Sequence, residues 1–452
     1  MRPTVPARRR SRAQRGFTLI ELLASLIIMT EIIVAVLVLF DFNNKLTHVQ
    51  TQVADMQQSL RVAQFDMVRL LRMAGRGGLP ATPLPQSVAV AVRKTTNSTT
   101  NIALGGSSTT SRVLKDTDVL TLRGVFSTPI YQVNYTSIWS LALYDAANNV
   151  TTDPTQAAAG MIEICNVASS GVPQDGTYDS SGNPTGYLKG LRDLITAARP
   201  EALVLTSPLD DSIYAVVEFD PTPSAPLTTS ATSTNCPPAD PSDATHGVRL
   251  AFKVGNTAGT LRRDKYRGLY PGASGLPSGL SRAAYLGIVE EYRYYVRQEF
   301  EVAGDSSSES APRLARARFY PNTEEAYADD DQNLRLDLAD DITDLQVALG
   351  IDTLKAGVFD GIIDDSNDAN DEWLYNAAAD DDTNAKWASG RLLYVRISTV
   401  ARTDRRDTTY QAPVIARIED HTYASTDYDN QDKQRMFRRR MLETVVKMRN
   451  LG

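Results

Sequence analysis

The chain has 452 residues, 42% of them hydrophobic, enough for one large or two ordinary domains with a packed core. Six of its 47 Lys and Arg precede Gly16, and the remaining 41 face 54 Asp and Glu, a net of −13 beyond the leader against −7 for the whole chain. So acidic a body argues against nucleic acid as a partner, and two cysteines with three scattered histidines and no CxxC pair argue against a zinc site.

The first element is a basic leader, residues 1–16, that includes Arg8, Arg9, Arg10, Arg12 and Arg15. A run of 24 mostly apolar residues, Phe17–Phe40, follows and is long enough for a helix to cross about 30 Å of hydrocarbon. Its membrane-facing positions are Leu19, Ile20, Leu22, Leu23, Leu26, Ile27, Ile28, Ile32, Ile33, Val36 and Leu37. The basic flank predicts a cytoplasmic N-terminus and an exported remainder. No small-residue cleavage site follows the apolar run, so a retained helix is expected rather than a removed signal. Glu21 and Glu31 interrupt the run. A carboxylate in such a span costs a few kcal/mol and marks a function with a definable partner. Cleavage between Gly16 and Phe17 would supply one, because the new Phe17 amine lies one helical turn from Glu21. Glu31 has no such assignment.

These residues carry a resemblance. Arg15-Gly16-Phe17-Thr18-Leu19-Ile20-Glu21-Leu22 resembles the processing site of type IV prepilins and type II secretion pseudopilins. The resemblance implies cleavage after Gly16 by a prepilin peptidase and N-methylation of Phe17 by the same enzyme. It also implies that Phe17 and Glu21 guide docking of the subunit into a filament.

Beyond the apolar run the helix is predicted to continue over residues 41–75. Leu46, Val49, Val53, Met56, Leu60, Ala63, Met67, Leu70 and Ala74 recur at three- and four-residue steps. That stripe is expected to pack on the protein's own domain, the alternative being a seam against other filament helices. Gly75-Arg76-Gly77-Gly78-Leu79-Pro80 predicts the stop. Residues 76–452 read as a β-rich exported domain with large insertions. Strands are predicted in SVAVAV, DVLTLRGVF, EALVLTS, YAVVEF, VRLAFKV, EYRYYVRQEFEV, RLARARFY, DLQVALGI and RLLYVRISTVAR. The Ser-, Thr-, Pro- and Gly-rich stretches 97–111, 168–186 and 220–247 read as exposed loops. The fold class is α+β and pilin-like, a long N-terminal helix with a membrane half and an exported half, packed on antiparallel sheet.

Within this body Asp116–Arg123, Leu338–Val347, Tyr394–Ile397 and the closing Phe437–Asn450 are similar to segments of PilW-like minor pilins. The resemblance implies a minor pilin near the tip of a type IV pilus, helping to initiate its assembly. Its partners would be other minor and major pilins, the prepilin peptidase and N-methyltransferase, and the inner-membrane assembly platform. It would first sit in the inner membrane with its body in the periplasm, then in the pilus at the cell surface. A type II secretion minor pseudopilin of the J type and a pilus-borne adhesin are the alternatives.

No cofactor is expected, with one candidate exception. Asp360, Asp364, Asp365, Asn367, Asp368, Asn370 and Asp371 crowd one loop with the oxygen ligands calcium takes, though not at EF-hand offsets. A solvated acidic loop is the alternative. Cys165 and Cys236 are either joined or two free thiols. Arg435, Arg438, Arg439 and Arg440 are expected to pair with the protein's own acidic face. No GxxxxGK[ST], GxSxG or HExxH motif occurs, so an enzyme is not expected.

Overall fold

The computed structural model describes residues 18–79, 89–94, 101–103, 110–133, 141–165, 188, 190–191, 193–194, 201–207, 213–220, 247–254, 276–280, 283, 285–300, 310–321, 335–365, 371–376, 390–425 and 428–450. It divides into two compact units, Met1–Asp55 and Met56–Gly452, with the boundary inside the single long helix α1, Leu19–Leu71. In the first unit the apolar side chains from Leu19 to Phe42 are roughly half exposed or more, from 48% at Ile33 to 85% at Leu19. The helix is long and apolar enough to cross a membrane.

The stripe changes character at the unit boundary. Leu46 is exposed, and Val49 and Val53 are half-buried. From Met56 onward the same stripe is buried: Leu60, Ala63, Met67, Leu70 and Ala74 are all at most 5% exposed. Packing on the chain's own domain therefore accounts for the stripe from Met56. The helix ends at Leu71 rather than Ala74, because Met73 and Ala74 donate to carbonyls only three residues back and tighten the last turn. Gly75, Gly77 and Gly78 all take positive φ. A Cβ would come within 2.6 Å of Val125 Cγ2 at Gly77 and 2.3 Å of Thr206 Cγ2 at Gly78, so only glycine fits this close approach.

The described strands of five residues or more are β1 (Val90–Lys94), β2 (Asp118–Gly124), β3 (Ala159–Cys165), β4 (Ala202–Thr206), β5 (Tyr214–Phe219), β6 (Gly247–Lys253), β7 (Tyr285–Phe300), β8 (Ser310–Phe319), β9 (Arg335–Asp340), β10 (Ile342–Thr353), β11 (Gly390–Arg402) and β12 (Arg439–Lys447). All pair antiparallel, which meets the expected class. The large sheet runs β1-β2-β7-β4-β5-β6-β3, with β8 and β9 continuing from β7. A second sheet holds β10, β11 and β12, with β12 at its edge.

Strand β7 joins two regions of the large sheet. Its first part, Tyr285–Val289, pairs with β4, whereas Glu290–Tyr294 pairs with β2 and Glu291–Phe300 with β8. Residues from β3 to β6 bury their own apolar cluster, including Ile162, Leu203, Val217, Phe219, Leu250 and Phe252. Strands β3 to β6 are thus a cored extension of the sheet. Two expectations are corrected here. The segment 97–111 is not wholly loop, since Asn101–Ala103 and Thr110–Arg112 pair as a hairpin. Strand β3 was not anticipated: AGMIEIC is a short apolar run with an acidic interruption, a weak period-2 signal. The stretch 168–186, and 221–246 of the third, lie outside the described residues.

The burial contrast along α1 can be tested. Met67→Ala, at a fully buried position, is expected to destabilise the protein by about 2–5 kcal/mol. Phe65→Ala, two residues away at 73% exposure, should change stability by about 0.5 kcal/mol or less. Denaturant unfolding of the detergent-solubilised chain, followed by tyrosine and tryptophan fluorescence, would check both.

Candidate functional site

The N-terminal end of α1 is built by Thr18 and Glu21. The Thr18 amide and hydroxyl both donate to Glu21 Oε2, at 3.0 and 2.9 Å, and the Glu21 amide donates back to Thr18 Oγ1 at 3.3 Å. This reciprocal arrangement is a capping box, carried in the sequence by Thr-x-x-Glu. It gives Glu21 a structural role in addition to the docking role the resemblance implies. Gly16 and Phe17 lie outside the described residues. Glu31 is exposed on the apolar segment.

Lower on the helix, two polar side chains tie it to two sheets. Gln64, 5% exposed, donates to the Leu442 carbonyl of β12 at 2.7 Å and to Thr399 Oγ1 of β11 at 3.2 Å, while Thr444 donates to its carbonyl oxygen. Asp66 accepts from the Tyr294 hydroxyl of β7 at 2.8 Å and from Arg316 of β8 at 2.9 Å. Asn450 donates to the Arg72 carbonyl at 2.9 Å, and Gly75 to that of Arg123 at 3.0 Å. Gln64, buried this far from water, needs partners nearby, and it has them. Neither Gln64 nor Asp66 was singled out by the apolar stripe, although a glutamine beside Ala63 on the buried face was a readable signal.

The segments that open at Asp116 and Leu338 meet at the joint between the two sheets. Asp116, at φ 65°, turns the chain into β2, and Asp341, at φ 58°, turns it into β10; aspartate tolerates that left-handed region better than most residues. Asp118, 1% exposed, accepts from the Val347 amide at 2.8 Å. Gln346 donates to the Asp116 carbonyl at 2.9 Å and to Asp344 Oδ1 at 2.9 Å. His421 faces Asp344 at 3.8 Å, and Lys94 pairs with Asp420 alongside. Burial is the main cause that pushes the Asp118 carboxyl up to about 7, reinforced by the Asp344 charge and opposed by the Val347 amide, Lys94 and His421. Burial raises Asp344 too, and pushes Asp429, beside Arg439, up to about 6. The joint between the sheets is therefore polar and titratable.

In the acidic loop the described carboxylates gather round a lysine that the sequence did not highlight. Lys355 Nζ lies 2.8 Å from Asp364, 3.1 Å from Glu372 and 3.3 Å from Asp360. Asp365 lies 3.6 Å from Arg396, and Asp371 accepts from the Trp373 amide at 3.1 Å. Asn367, Asp368 and Asn370 fall outside the described residues, as does Cys236; Cys165 ends β3. Of the basic cluster, Arg438 pairs with Asp407 at 2.9 Å, Arg439 approaches Asp429 at 3.8 Å and Arg435 donates to the Ala412 carbonyl at 2.9 Å. The neighbouring tyrosines Tyr294 and Tyr295 are fully buried in the sheet.

A long apolar helix whose lower half is clamped to antiparallel sheet defines a pilin-like architecture. Residues 293–450 match the family model described as type IV pilus-assembly protein W. The match spans about a third of the chain, and that region is similar to this family. The match covers Tyr294, Arg316, Thr399, Leu442 and Thr444, the residues that hold α1. No curated protein and no solved structure matches the chain.

The polar joint has a pH signature. A carboxyl raised from 3.8 to about 7 on folding keeps its proton in the native state while the unfolded chain loses it. Its contribution is fully present below about pH 4 and is lost as pH rises through 7. The body is therefore expected to melt on the order of 5 °C higher at pH 5.5 than at pH 8. Asp118→Asn keeps an acceptor for Val347 and should remove much of that slope; an unchanged slope would show that Asp118 does not titrate in this range.

Proposed function

We propose that this chain is a minor pilin, incorporated into a type IV pilus near its tip, where it helps to initiate assembly. Prepilin peptidase removes residues 1–16 and methylates the Phe17 amine. Before assembly the protein spans the inner membrane once, with its N-terminus cytoplasmic and its body in the periplasm, and it engages the assembly platform and other pilins. The observation that carries the reading is the division of α1. The strands matching the pilus-assembly family grip its lower half, and the upper half is an apolar span bearing a carboxylate at the fifth position after Gly16.

Glu21 is expected to act twice. The capping box holds its carboxylate at the helix N-terminus, where the Phe17 amine of a processed neighbour can neutralise it. Thr18→Ala removes the cap but leaves that charge, and should lower helix stability by about 1 kcal/mol while preserving incorporation. Glu21→Ala should leave processing intact yet reduce the chain's abundance in sheared filaments by about tenfold or more, the equivalent of at least 1.4 kcal/mol of docking energy. Equal, small effects of both substitutions would reduce Glu21 to a cap and remove its docking role.

A further inference from the structure

On the outer side of the clamp, α1 and the edge strand β12 enclose an open groove of about 520 Å³, lined by Arg61, Phe65, Arg69 and Arg72 from the helix and by Leu442 and Thr444 from the strand. Phe65 is 73% exposed, and Val62 beside it 46%. Neither belongs to the buried stripe, so the fold itself does not require them to be apolar.

The charge around this apolar floor is one-sided. Arg69 shares Asp66, at 3.1 Å, with Arg316 and Tyr294. Arg61 and Arg72 make no ion pair among the described residues. Cations left without counter-charge around an exposed aromatic are unusual on a body of net −13, and they fit an anionic partner with an apolar strip.

The geometry favours a helix over an added strand. Arg69 on α1, and Arg72 just past its end, lie at rises of about 12 and 16 Å from Arg61, spacings that carboxylates eight and eleven residues apart on a helix running alongside can meet. Phe65 projects between them as a ridge suited to the groove of such a helix. On β12 the Leu442 carbonyl already accepts from Gln64 and Thr399, so this part of the edge is occupied.

We propose that the groove receives a helix of a neighbouring pilus subunit, one that presents carboxylates beside an apolar strip. The proposal rests on the pilus reading above. Its test replaces Phe65 with the photo-cross-linking residue p-benzoylphenylalanine in the full chain, in cells assembling filaments. The cross-linked peptide is then identified by mass spectrometry. The expected product joins position 65 to a helical segment of another pilus subunit carrying Asp or Glu eight or eleven residues apart. Its yield should fall about tenfold in Arg61→Glu/Arg72→Glu and recover when the partner's carboxylates are changed to lysine. Arg61→Gln/Arg72→Gln should give an intermediate yield with an unchanged melting temperature, which separates charge from misfolding. Cross-links to lipid, to a second copy of this chain or to an uncharged segment would overturn the proposal, as would a yield indifferent to charge reversal. In each of those cases, continued presence of the chain in filaments leaves the pilus reading standing. An acidic helix from a protein outside the filament would overturn the proposal, and absence of the chain from filaments would overturn the pilus reading.

Discussion

Everything below the membrane run depends on one turn of α1, where Gln64 and Asp66 point into two different sheets. Gln64 meets β11 and β12, and Asp66 meets β7 and β8. An amide and a carboxylate placed there would be destabilising if left unpaired, and each lost bond exposes a desolvated partner on the sheet. The apolar stripe supplies attraction without direction. The two polar side chains fix rotation and register, so that Leu60, Ala63 and Met67 face inward and Arg61 and Phe65 outward. The second sheet, an antiparallel layer of β10, β11 and β12, gains a defined seat on the helix through the same residues.

Strands β3 to β6 extend the large sheet without disturbing that seat. Strand β7 is long enough to serve two neighbours in succession, β4 along its first part and β2 beyond it. Where the two regions abut, Gly287 leaves room for Val125, whose Cγ2 would lie 2.4 Å from an added Cβ. The inserted strands bring their own apolar cluster, so their stability does not draw on the helix contacts. The family match begins at Arg293, just past this junction, which places the helix-holding strands inside the matched region and the inserted strands β3 to β6 before it.

Much of this was legible in the sequence, for reasons that differ by element. The three- and four-residue stripe located α1 and its buried side from Met56 onward, and the glycines after Ala74 located its end, because both follow from local backbone geometry. YAVVEF was predicted at its observed bounds, Tyr214–Phe219, since a β-branched run flanked by polar residues admits little else. The Asp116–Arg123 and Leu338–Val347 segments were noticed separately. That Asp118 accepts from the Val347 amide depends on strand order, which no local pattern carries. The Thr18–Glu21 cap was local and readable but was overshadowed by the processing motif. Lys355 was not readable as the centre of its carboxylate cluster, because its partners Asp364 and Glu372 are brought round by a turn built on positive-φ Ala356 and Gly357.

A membrane-length helix, a carboxylate near its start and a clamp within the family-matched region lead to one claim, that the chain is cut after Gly16 and enters a filament. Mass spectrometry of filaments sheared from the cell surface tests it most directly. The account predicts a chain in those filaments that begins with N-methylated Phe17 and ends with the clamp intact. A chain that still carries residues 1–16, or a processed chain confined to the envelope and missing from surface filaments, would contradict it.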